Sequence, residues 1–179
     1  TKQAMFTYGS ETLLERAIPD YRDGLKPVTR RLAWVTNQLA RDKQVKAARL
    51  VGETMGRYHP HGDSSCYGAL VTNVNSEVPI VEGVGGWGTL IDPPSAMRYT
   101  EAKLNPYGRS FFGKFYIHRK VTNFVSNFDD TTEEPLFLPS LFPNVLFNGQ
   151  SGIAVGASNK IPSFTPKSVL TAMVEFLDG

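Results

Sequence analysis

The segment VTRRLAWVTNQLAR, residues 28 to 41, has apolar residues at helical spacing. Val28, Leu32, Val35 and Leu39 would share one face of a helix, so we predict a helix over this segment. This helix and its neighbours in the sequence determine the predicted fold.

Helical segments are predicted on both sides of this helix. On its N-terminal side, residues 10 to 18 begin with Ser10, which is suited to cap a helix, and end at Pro19. The connection PDYRDGLKP, residues 19 to 27, is rich in turn-forming residues. On the C-terminal side, residues 45 to 55 carry a third helical pattern.

A turn and a further helix are predicted after this third pattern. Pro60 and Gly62 interrupt the helical spacing, and Asp63 or Ser64 is suited to cap a new helix that runs to Val71. Three helices, the third interrupted by only a short turn, are typical of a helix-turn-helix scaffold.

The later part of the chain changes from helical to strand patterns. Residues 82 to 89, EGVGGWGT, predict a flexible loop or a small β-hairpin wing, with Tyr99 near the end of that loop. From Val121 onward, residues 121 to 128 alternate as a strand does, residues 137 to 149 are broken by prolines, and residues 151 to 162 predict strands separated by turns. Residues 166 to 177 predict an amphipathic helix. We therefore predict an α+β fold with a boundary near residue 120.

The composition is that of a chain able to form a hydrophobic core. Of its 179 residues, 41% are hydrophobic and 11% aromatic, which excludes a disordered tail. The net charge of +2 does not by itself indicate a nucleic-acid binder, so the local distribution of charge has to carry any such prediction. The single cysteine, Cys66, excludes an internal disulfide framework and fits a reducing compartment.

The sequence predicts an intracellular location. It contains no apolar run of about 18 residues or more, and its N-terminus lacks the pattern of a signal peptide. We therefore expect a soluble protein without a membrane span. The chain starts at Thr1 and stops at Gly179 without an obvious end, so we also expect it to be a fragment.

Basic side chains are concentrated around the turn before the helix predicted at residues 28 to 41. They are Arg22, Lys26, Arg30 and Arg31. Cations at a helix start beside a turn can reach the phosphates of a DNA backbone. A solvated helix face would show the same spacing, so both interpretations stay open on spacing alone.

The segment HPHGD brings His59, His61 and Asp63 into one turn. Histidines here could contact phosphate or transfer a proton, and a purely structural turn is equally compatible with the sequence. We do not predict a metal site, because histidines two positions apart on a proline turn are not a usual zinc pattern.

Two more segments contain residues suited to DNA chemistry. In AMRYTE, residues 96 to 101, Arg98 precedes Tyr99, and a neighbouring cation helps a weakly nucleophilic hydroxyl to ionise and stabilises charge on a phosphate. In NGQSGIAVG, residues 148 to 156, an apolar side chain such as that of Ile153 could wedge between base pairs. Spacing alone favours the ordinary alternatives, a surface pair and a core strand.

Five motifs, in this order, resemble the A-type subunits of bacterial DNA gyrase and topoisomerase IV and the matching part of other type IIA topoisomerases. They are RAIPDYRDGLKPVTRR (16–31), GRYHPHGDSS (56–65), GVGGWGT (83–89), AMRYTE (96–101) and NGQSGIAVG (148–156). The resemblance covers nearly the whole chain. It implies a winged-helix DNA-cleavage domain with an N-terminal arm at residues 1 to 120 and the start of a mixed α/β tower domain at residues 121 to 179.

The resemblance also implies roles for individual residues. Tyr99 matches the family's DNA-linking tyrosine, and Arg98 matches its partner at the scissile phosphate. His61 and Arg16 match residues near the reaction centre, and Ile153 matches the residue that wedges between bases. The other residues expected to bind DNA are Arg22, Lys26, Arg30, Arg31, His59 and Ser64.

The implied enzyme is a type II DNA topoisomerase, an ATP-hydrolysing isomerase. Tyr99 would attack a backbone phosphorus, form a 5′-phosphotyrosyl link and free a 3′-hydroxyl that can reseal the strand. The implied partners are double-stranded DNA, a second copy of the chain and a B-type subunit or domain that binds Mg²⁺ and ATP. The expected location is the cytoplasm, at the nucleoid, or the host cytoplasm for a viral protein.

Departures from the family pattern suggest a divergent member, viral or phage-encoded. Thr29 stands where the family commonly has histidine. Gly68 replaces the acidic residue that, with a serine matched here by Ser64, anchors quinolone drugs in bacterial relatives, so we expect weakened quinolone sensitivity.

Two alternative functions are weighed against the topoisomerase. A non-catalytic DNA-binding module is disfavoured because Arg98 and Tyr99 are both present. A nuclease that uses HPHGD as a metal centre is disfavoured by the spacing of its histidines.

Overall fold

A computed structural model describes residues 16 to 113, 121 to 154 and 157 to 179, without the side chains of residues 154 and 157. These residues divide into two compact units. The terminal unit contains residues 16 to 27 and 142 to 179, and the central unit contains residues 28 to 141. The predicted domain boundary near residue 120 falls inside the central unit, whereas these units divide after residues 27 and 141. That domain boundary stays a prediction.

Four helices are described in or at the edge of the central unit: α1 (Pro27–Leu39), α2 (Ala47–Arg57), α3 (Asp63–Val74) and α4 (Pro106–Ser110). Helix α1 confirms the predicted helix, although it ends at Leu39 rather than Arg41. Leu32 and Val35 are fully buried, as the apolar spacing predicts for the inner face of this helix.

Two details of the helix predictions are wrong. Val45 and Lys46 do not start the next helix, because they pair with another strand and form strand β1 (Val45–Lys46). The N-cap of α3 is Gly62, not Asp63 or Ser64. Asp63 is already helical, and its Oδ1 accepts from the neighbouring Ser64 amide at 2.8 Å.

A three-stranded antiparallel sheet packs with these helices. Strands β2 (Val81–Val84) and β3 (Glu101–Leu104) pair antiparallel, and the strand order is β1-β3-β2. Of the predicted segment, residues 82 to 84 lie in β2 and residues 85 to 89 lie in the loop that connects the two strands, so it takes both of its predicted forms. Helices followed by this small sheet confirm the α+β fold and are consistent with a winged helix.

The described part of the central unit also contains a short β-hairpin. Strands β4 (Phe124–Ser126) and β5 (Glu133–Pro135) pair antiparallel. Trp34 of α1 packs against Phe124 of β4 and Phe112, with ring centroids 5.8 and 6.2 Å away. This aromatic cluster attaches the hairpin to α1.

The structure describes a hairpin and two helices between residues 142 and 179 of the terminal unit. Helix α5 (Asn144–Asn148) precedes the antiparallel strands β6 (Gln150–Ala154) and β7 (Ala157–Ile161), which confirm the predicted strands. Helix α6 (Pro166–Asp178) confirms the predicted closing helix, with Pro166 in its first turn and the Thr165 side chain accepting from the Ser168 amide.

Part of one prediction lies outside the described residues. The helix predicted at residues 10 to 18 falls mostly on residues 1 to 15, which the structure does not describe. None of the helices in the described ranges is long and apolar enough to cross a membrane.

Candidate active site

Tyr99 lies in a turn at the end of the loop between β2 and β3. Its amide donates to the Ala96 carbonyl at 2.9 Å, which closes the turn immediately before β3. The side chain of Tyr99 is 63% exposed. Tyr99 is therefore accessible from solvent.

Arg98 lies directly against this tyrosine. Its guanidinium carbon is 4.6 Å from the centroid of the Tyr99 ring, within the range of a cation–π contact. The structure thus brings the two predicted reaction-centre residues together and places a permanent positive charge beside the exposed phenol. Their catalytic roles stay predictions.

The first turn of α2 holds the segment that carries both residues. The amide of Ala47 donates to the Thr100 carbonyl at 3.0 Å, and the amide of Ala48 donates to the Met97 carbonyl at 3.1 Å. Amides at a helix start have no partner inside the helix, so here the turn satisfies them. Helix α2 and the Tyr99 turn therefore form one hydrogen-bonded unit.

Gly85 allows the loop to pass closely behind Tyr99. It adopts a φ of +103°, and a Cβ there would lie 3.2 Å from the Tyr99 carbonyl oxygen. Side chains rarely adopt this backbone conformation, so a glycine is favoured at this position.

A network of charged and imidazole groups surrounds the HPHGD turn. The Nε and Nη2 atoms of Arg31 each donate to a carboxylate oxygen of Glu134 at 2.7 Å, in a bidentate pair. Nη1 of Arg31 lies 2.9 Å from Nδ1 of His59. Because a guanidinium can only donate, Nδ1 of His59 accepts, and a neutral His59 carries its proton on Nε2.

His61 forms the exposed edge of this network. Its ring packs edge-on against His59 with centroids 4.3 Å apart. His59 is only 7% exposed, whereas His61 is exposed. Of the two predicted histidines, His61 is the one that a ligand can reach directly.

The predicted DNA contacts of the central unit differ in accessibility. Arg30 is buried, and Arg31 uses three of its five N–H donors on Glu134 and His59. Ser64 is exposed in the first turn of α3. The DNA-binding roles of these residues stay predictions, with Ser64 the most accessible of the three.

Cys66 is a buried residue of the hydrophobic core. It is fully buried on α3, and burial, followed by the charge of Asp63, raises the pKa of its thiol. In residues 16 to 113, 121 to 154 and 157 to 179, no three His, Cys, Asp or Glu side chains lie close enough together to hold a metal ion.

In the terminal unit, Ile153 projects from the β6–β7 hairpin into solvent. It is 83% exposed on β6, which is unusual for an isoleucine on a strand. The hairpin backbone packs on Ala17, because Asn159 Nδ2 donates to the Ala17 carbonyl at 3.1 Å and a Cβ on Gly152 would meet the same oxygen at 2.3 Å.

The basic residues of the terminal unit have specific partners. Lys26 Nζ donates to the Ser151 carbonyl of β6, and burial lowers the pKa of this lysine. Arg22 forms a bidentate pair with Asp20, at 2.9 and 2.7 Å, and this hydrogen bond raises the pKa of Arg22. Arg16 is exposed.

Two residues that matter to this geometry were missed by sequence reasoning. Glu134 lies 103 residues from Arg31 in the chain, so no local pattern links them. Tyr67 follows the HPHGD motif closely, but its partners, Ser95 and Thr100, lie in the distant Tyr99 loop. An ion-pair partner or a buried hydroxyl has no characteristic spacing in a single sequence.

Comparisons with known proteins agree with the motifs. Residues 16 to 179 match the family of the A subunits of DNA gyrase/topoisomerase IV. The chain is 41% identical over 186 residues to the A subunit of DNA topoisomerase 4 from Pseudomonas aeruginosa, covering 99% of this chain and 24% of that protein. It is 41% identical over 180 residues to the A subunit of DNA gyrase from Spiroplasma citri, covering 97% of this chain and 78% of that protein.

A third relative shows a similar match. The A subunit of DNA gyrase from Haloquadratum walsbyi is 42% identical over 183 residues, which cover 98% of this chain and 21% of that protein. The chain therefore spans about a quarter or less of the length of the Pseudomonas and Haloquadratum relatives.

Proposed function

Because the chain belongs to the family of DNA gyrase/topoisomerase IV A subunits, we propose that it is the DNA breakage-reunion part of a type II topoisomerase. The observation that carries the proposal is the exposed Tyr99, with the Arg98 guanidinium 4.6 Å from its ring, on a turn anchored to α2. A cation beside an exposed tyrosine can favour ionisation of its hydroxyl and stabilise the charge that develops on an attacked phosphate.

The proposed reaction is a reversible transesterification. The Tyr99 oxygen loses its proton and bonds to a backbone phosphorus, and the bond from that phosphorus to the 3′-oxygen of the neighbouring nucleotide breaks. The 3′-oxygen takes up a proton, and the 5′ end stays linked to the tyrosine. One phosphodiester replaces another, so the 3′-hydroxyl can attack in turn and reseal the strand.

Arg98 and His61 would act on the phosphate and on the protons of the Tyr99 hydroxyl and the 3′-oxygen. The arginine would stabilise the negative charge that develops on the phosphate oxygens. His61 offers an exposed imidazole, and the buried His59, fixed by Arg31, supports its ring. In this proposal, Arg31 acts mainly through the imidazole pair because Glu134 and His59 occupy three of its donors.

The terminal unit would contact and deform the duplex. Ile153 offers an exposed apolar side chain on a hairpin whose backbone is anchored to Ala17, and such a side chain can insert between base pairs. Arg16, Arg22 and Lys26 would contact phosphates. Lys26 has one of its three donors on Ser151, so it would also hold the hairpin that carries the wedge.

The proposed working unit contains more than this chain. Two copies are needed to cut both strands of a duplex, which predicts a two-fold homodimer. A B-type subunit or domain would bind Mg²⁺ and ATP, as the family resemblance implies. The enzyme would act on duplex DNA in the cytoplasm, at the nucleoid or in a host cell.

The proposal is tested by trapping the covalent intermediate. The full-length subunit is mixed with its B-type partner, Mg²⁺ and end-labelled duplex DNA, and denaturant stops the reaction. We expect protein on the 5′ ends with the wild type and none with Tyr99→Phe. Tyr21→Phe is the matched control, because Tyr21 is a second highly exposed tyrosine, and it should attach normally.

Each other outcome would change a part of the proposal. Attachment by the Tyr99→Phe variant would show that another residue is the nucleophile. Tight DNA binding without attachment, with a partner shown to be competent, would favour a non-catalytic binding module. Cut DNA with free ends would favour a nuclease.

A further inference from the structure

One hydroxyl group connects the two ends of the Tyr99 turn. Tyr67 Oη on α3 donates to the Ser95 carbonyl at 2.6 Å and lies 3.2 Å from Thr100 Oγ1. A carbonyl accepts only, so the single proton of Tyr67 goes to Ser95, and Thr100 donates in the second bond. Ser95 and Thr100 flank the segment that contains Arg98 and Tyr99.

The ring of Tyr67 is itself held in place. Its centroid lies 5.9 Å from that of Trp87, which is only 5% exposed. Trp87 donates from Nε1 to the Val84 carbonyl at 3.2 Å, and its own carbonyl accepts from Asn75 Nδ2 at 2.8 Å. The Tyr67 hydroxyl is therefore presented to the turn from a packed surface that α3 and the loop share.

The far end of the turn is fixed at two atoms. Thr100 is fully buried, its carbonyl accepts from the Ala47 amide of α2, and its hydroxyl donates to Tyr67. Tyr99, one residue earlier, is 63% exposed. Tyr99 is thus exposed to solvent on a turn whose two ends are hydrogen-bonded to α2 and α3.

From this geometry we propose that Tyr67 is a positioning residue for Tyr99. Its hydroxyl sets the separation of Ser95 and Thr100, and with it the direction in which the Tyr99 side chain leaves the turn. The inference rests on the proposed function, because it matters only if Tyr99 attacks a phosphate. Misplacement of a reacting group by about 1 Å can lower a rate about 100-fold. The two hydrogen bonds of the Tyr67 hydroxyl can therefore control the cleavage rate.

The test removes the hydroxyl and keeps the ring. In the full-length subunit with its B-type partner and Mg²⁺, Tyr67→Phe should lower the rate of covalent attachment at saturating DNA by roughly 10- to 100-fold. The Kd for the same duplex, measured without Mg²⁺, should change by less than about twofold, because the hydroxyl bonds to Ser95 and Thr100 within the protein.

The matched control is Tyr107→Phe. Tyr107 is another half-buried tyrosine of the central unit, and its hydroxyl bonds to Ser140, away from the Tyr99 turn. Both variants lose one hydroxyl and should lower Tm to a similar extent. Only Tyr67→Phe should slow attachment, which a merely structural role would not predict.

A second variant tests the hydrogen bond between Tyr67 and Thr100 by changing Thr100. Thr100→Val removes one of the two bonds and should slow attachment less than Tyr67→Phe does. If both act through one contact, the double variant should be no slower than Tyr67→Phe alone, instead of showing the product of the two effects.

Two results would overturn the inference. If the wild type attaches to DNA and Tyr67→Phe is no slower than Tyr107→Phe, the positioning role is wrong and the proposed function stands. If the wild type forms no covalent link with a competent partner, both the proposed function and the positioning role fail.

Discussion

Gly68 is an exposed residue of α3, one turn after Ser64. A Cβ at Gly68 would meet nothing within 4 Å, so an acidic side chain would fit there without rearrangement. The family resemblance implies that a serine and an acid at these positions anchor quinolones through a metal-bound water. The absence of the acid therefore predicts weak drug binding.

Restoring the acid should restore the drug response. In the full-length enzyme with its partner, Gly68→Glu should lower the quinolone concentration for half-maximal cleavage about tenfold or more, as a hydrogen bond to a charged group contributes about 1.5–3 kcal/mol. Gly68→Gln is the neutral control and should change the response little. An equal effect of both variants would show that charge is not the cause.

Cys66, on the same helix, is predicted to be chemically inert in the folded protein. Burial raises its thiol pKa, so the thiol stays protonated in the folded state at a pH where a free cysteine, with a pKa of about 8.5, ionises. Stability from the neutral thiol is thus fully present below that pH and is lost as the pH rises through the folded-state pKa.

This prediction is checked by alkylation. At pH 8.5, iodoacetamide should modify Cys66 on the order of a hundredfold more slowly in the native protein than in urea, because the reactive thiolate forms only after local opening. Peptide mass spectrometry would follow this residue specifically. Equal rates in both conditions would contradict the buried placement.

At the scale of elements, two helical glycines have opposite environments. Gly52 is exposed in the middle of α2, and a Cβ there would meet nothing within 4 Å. Gly108 is buried in α4, and a Cβ there would lie 2.0 Å from the carbonyl oxygen of Ile80. The same glycine-to-alanine change should therefore have opposite effects on stability.

Gly52→Ala should raise the free energy of unfolding by about 0.5–1 kcal/mol, because alanine loses less entropy than glycine in a helix. Gly108→Ala should lower it by about 1–3 kcal/mol, because α4 must move away from the Ile80 backbone. Urea unfolding of the protein would measure both, each variant serving as the control for the other. A Gly108→Ala variant as stable as the wild type would show that the close approach of α4 to Ile80 is wrong.

The whole molecule is expected to act as a pair of equivalent chains. If each copy contributes one Tyr99, a dimer of one wild-type and one Tyr99→Phe subunit can cut only one strand. Such mixed dimers, isolated with two different affinity tags and supplied with partner and Mg²⁺, should convert supercoiled plasmid into nicked circles with protein on one strand. Wild-type dimers should give linear DNA. Linear DNA from purified mixed dimers would exclude one nucleophile per strand.

Local sequence patterns predict the elements whose signal lies within a few neighbouring residues. The spacing in residues 28 to 41 and 166 to 177 predicts α1 and α6, and the glycine-dense segment before Tyr99 predicts a loop or a hairpin, to both of which it contributes. These predictions succeed because periodicity, capping and turn preferences act over a few neighbouring residues. The adjacency of Arg98 and Tyr99, within motifs that resemble a known family, likewise indicated the candidate nucleophile.

The contacts between distant parts of the chain are visible in the folded protein and not in its sequence. Val45 and Lys46 are a strand rather than a helix start because β3 offers them backbone partners. Arg31 is committed to Glu134, and Tyr67 to the ends of the Tyr99 turn. Such pairs form when folding brings separate segments together. No pattern in the sequence around one residue of a pair predicts which distant residue it will contact. Therefore, the sequence identified the candidate nucleophile, and the tertiary structure determined what holds it in place.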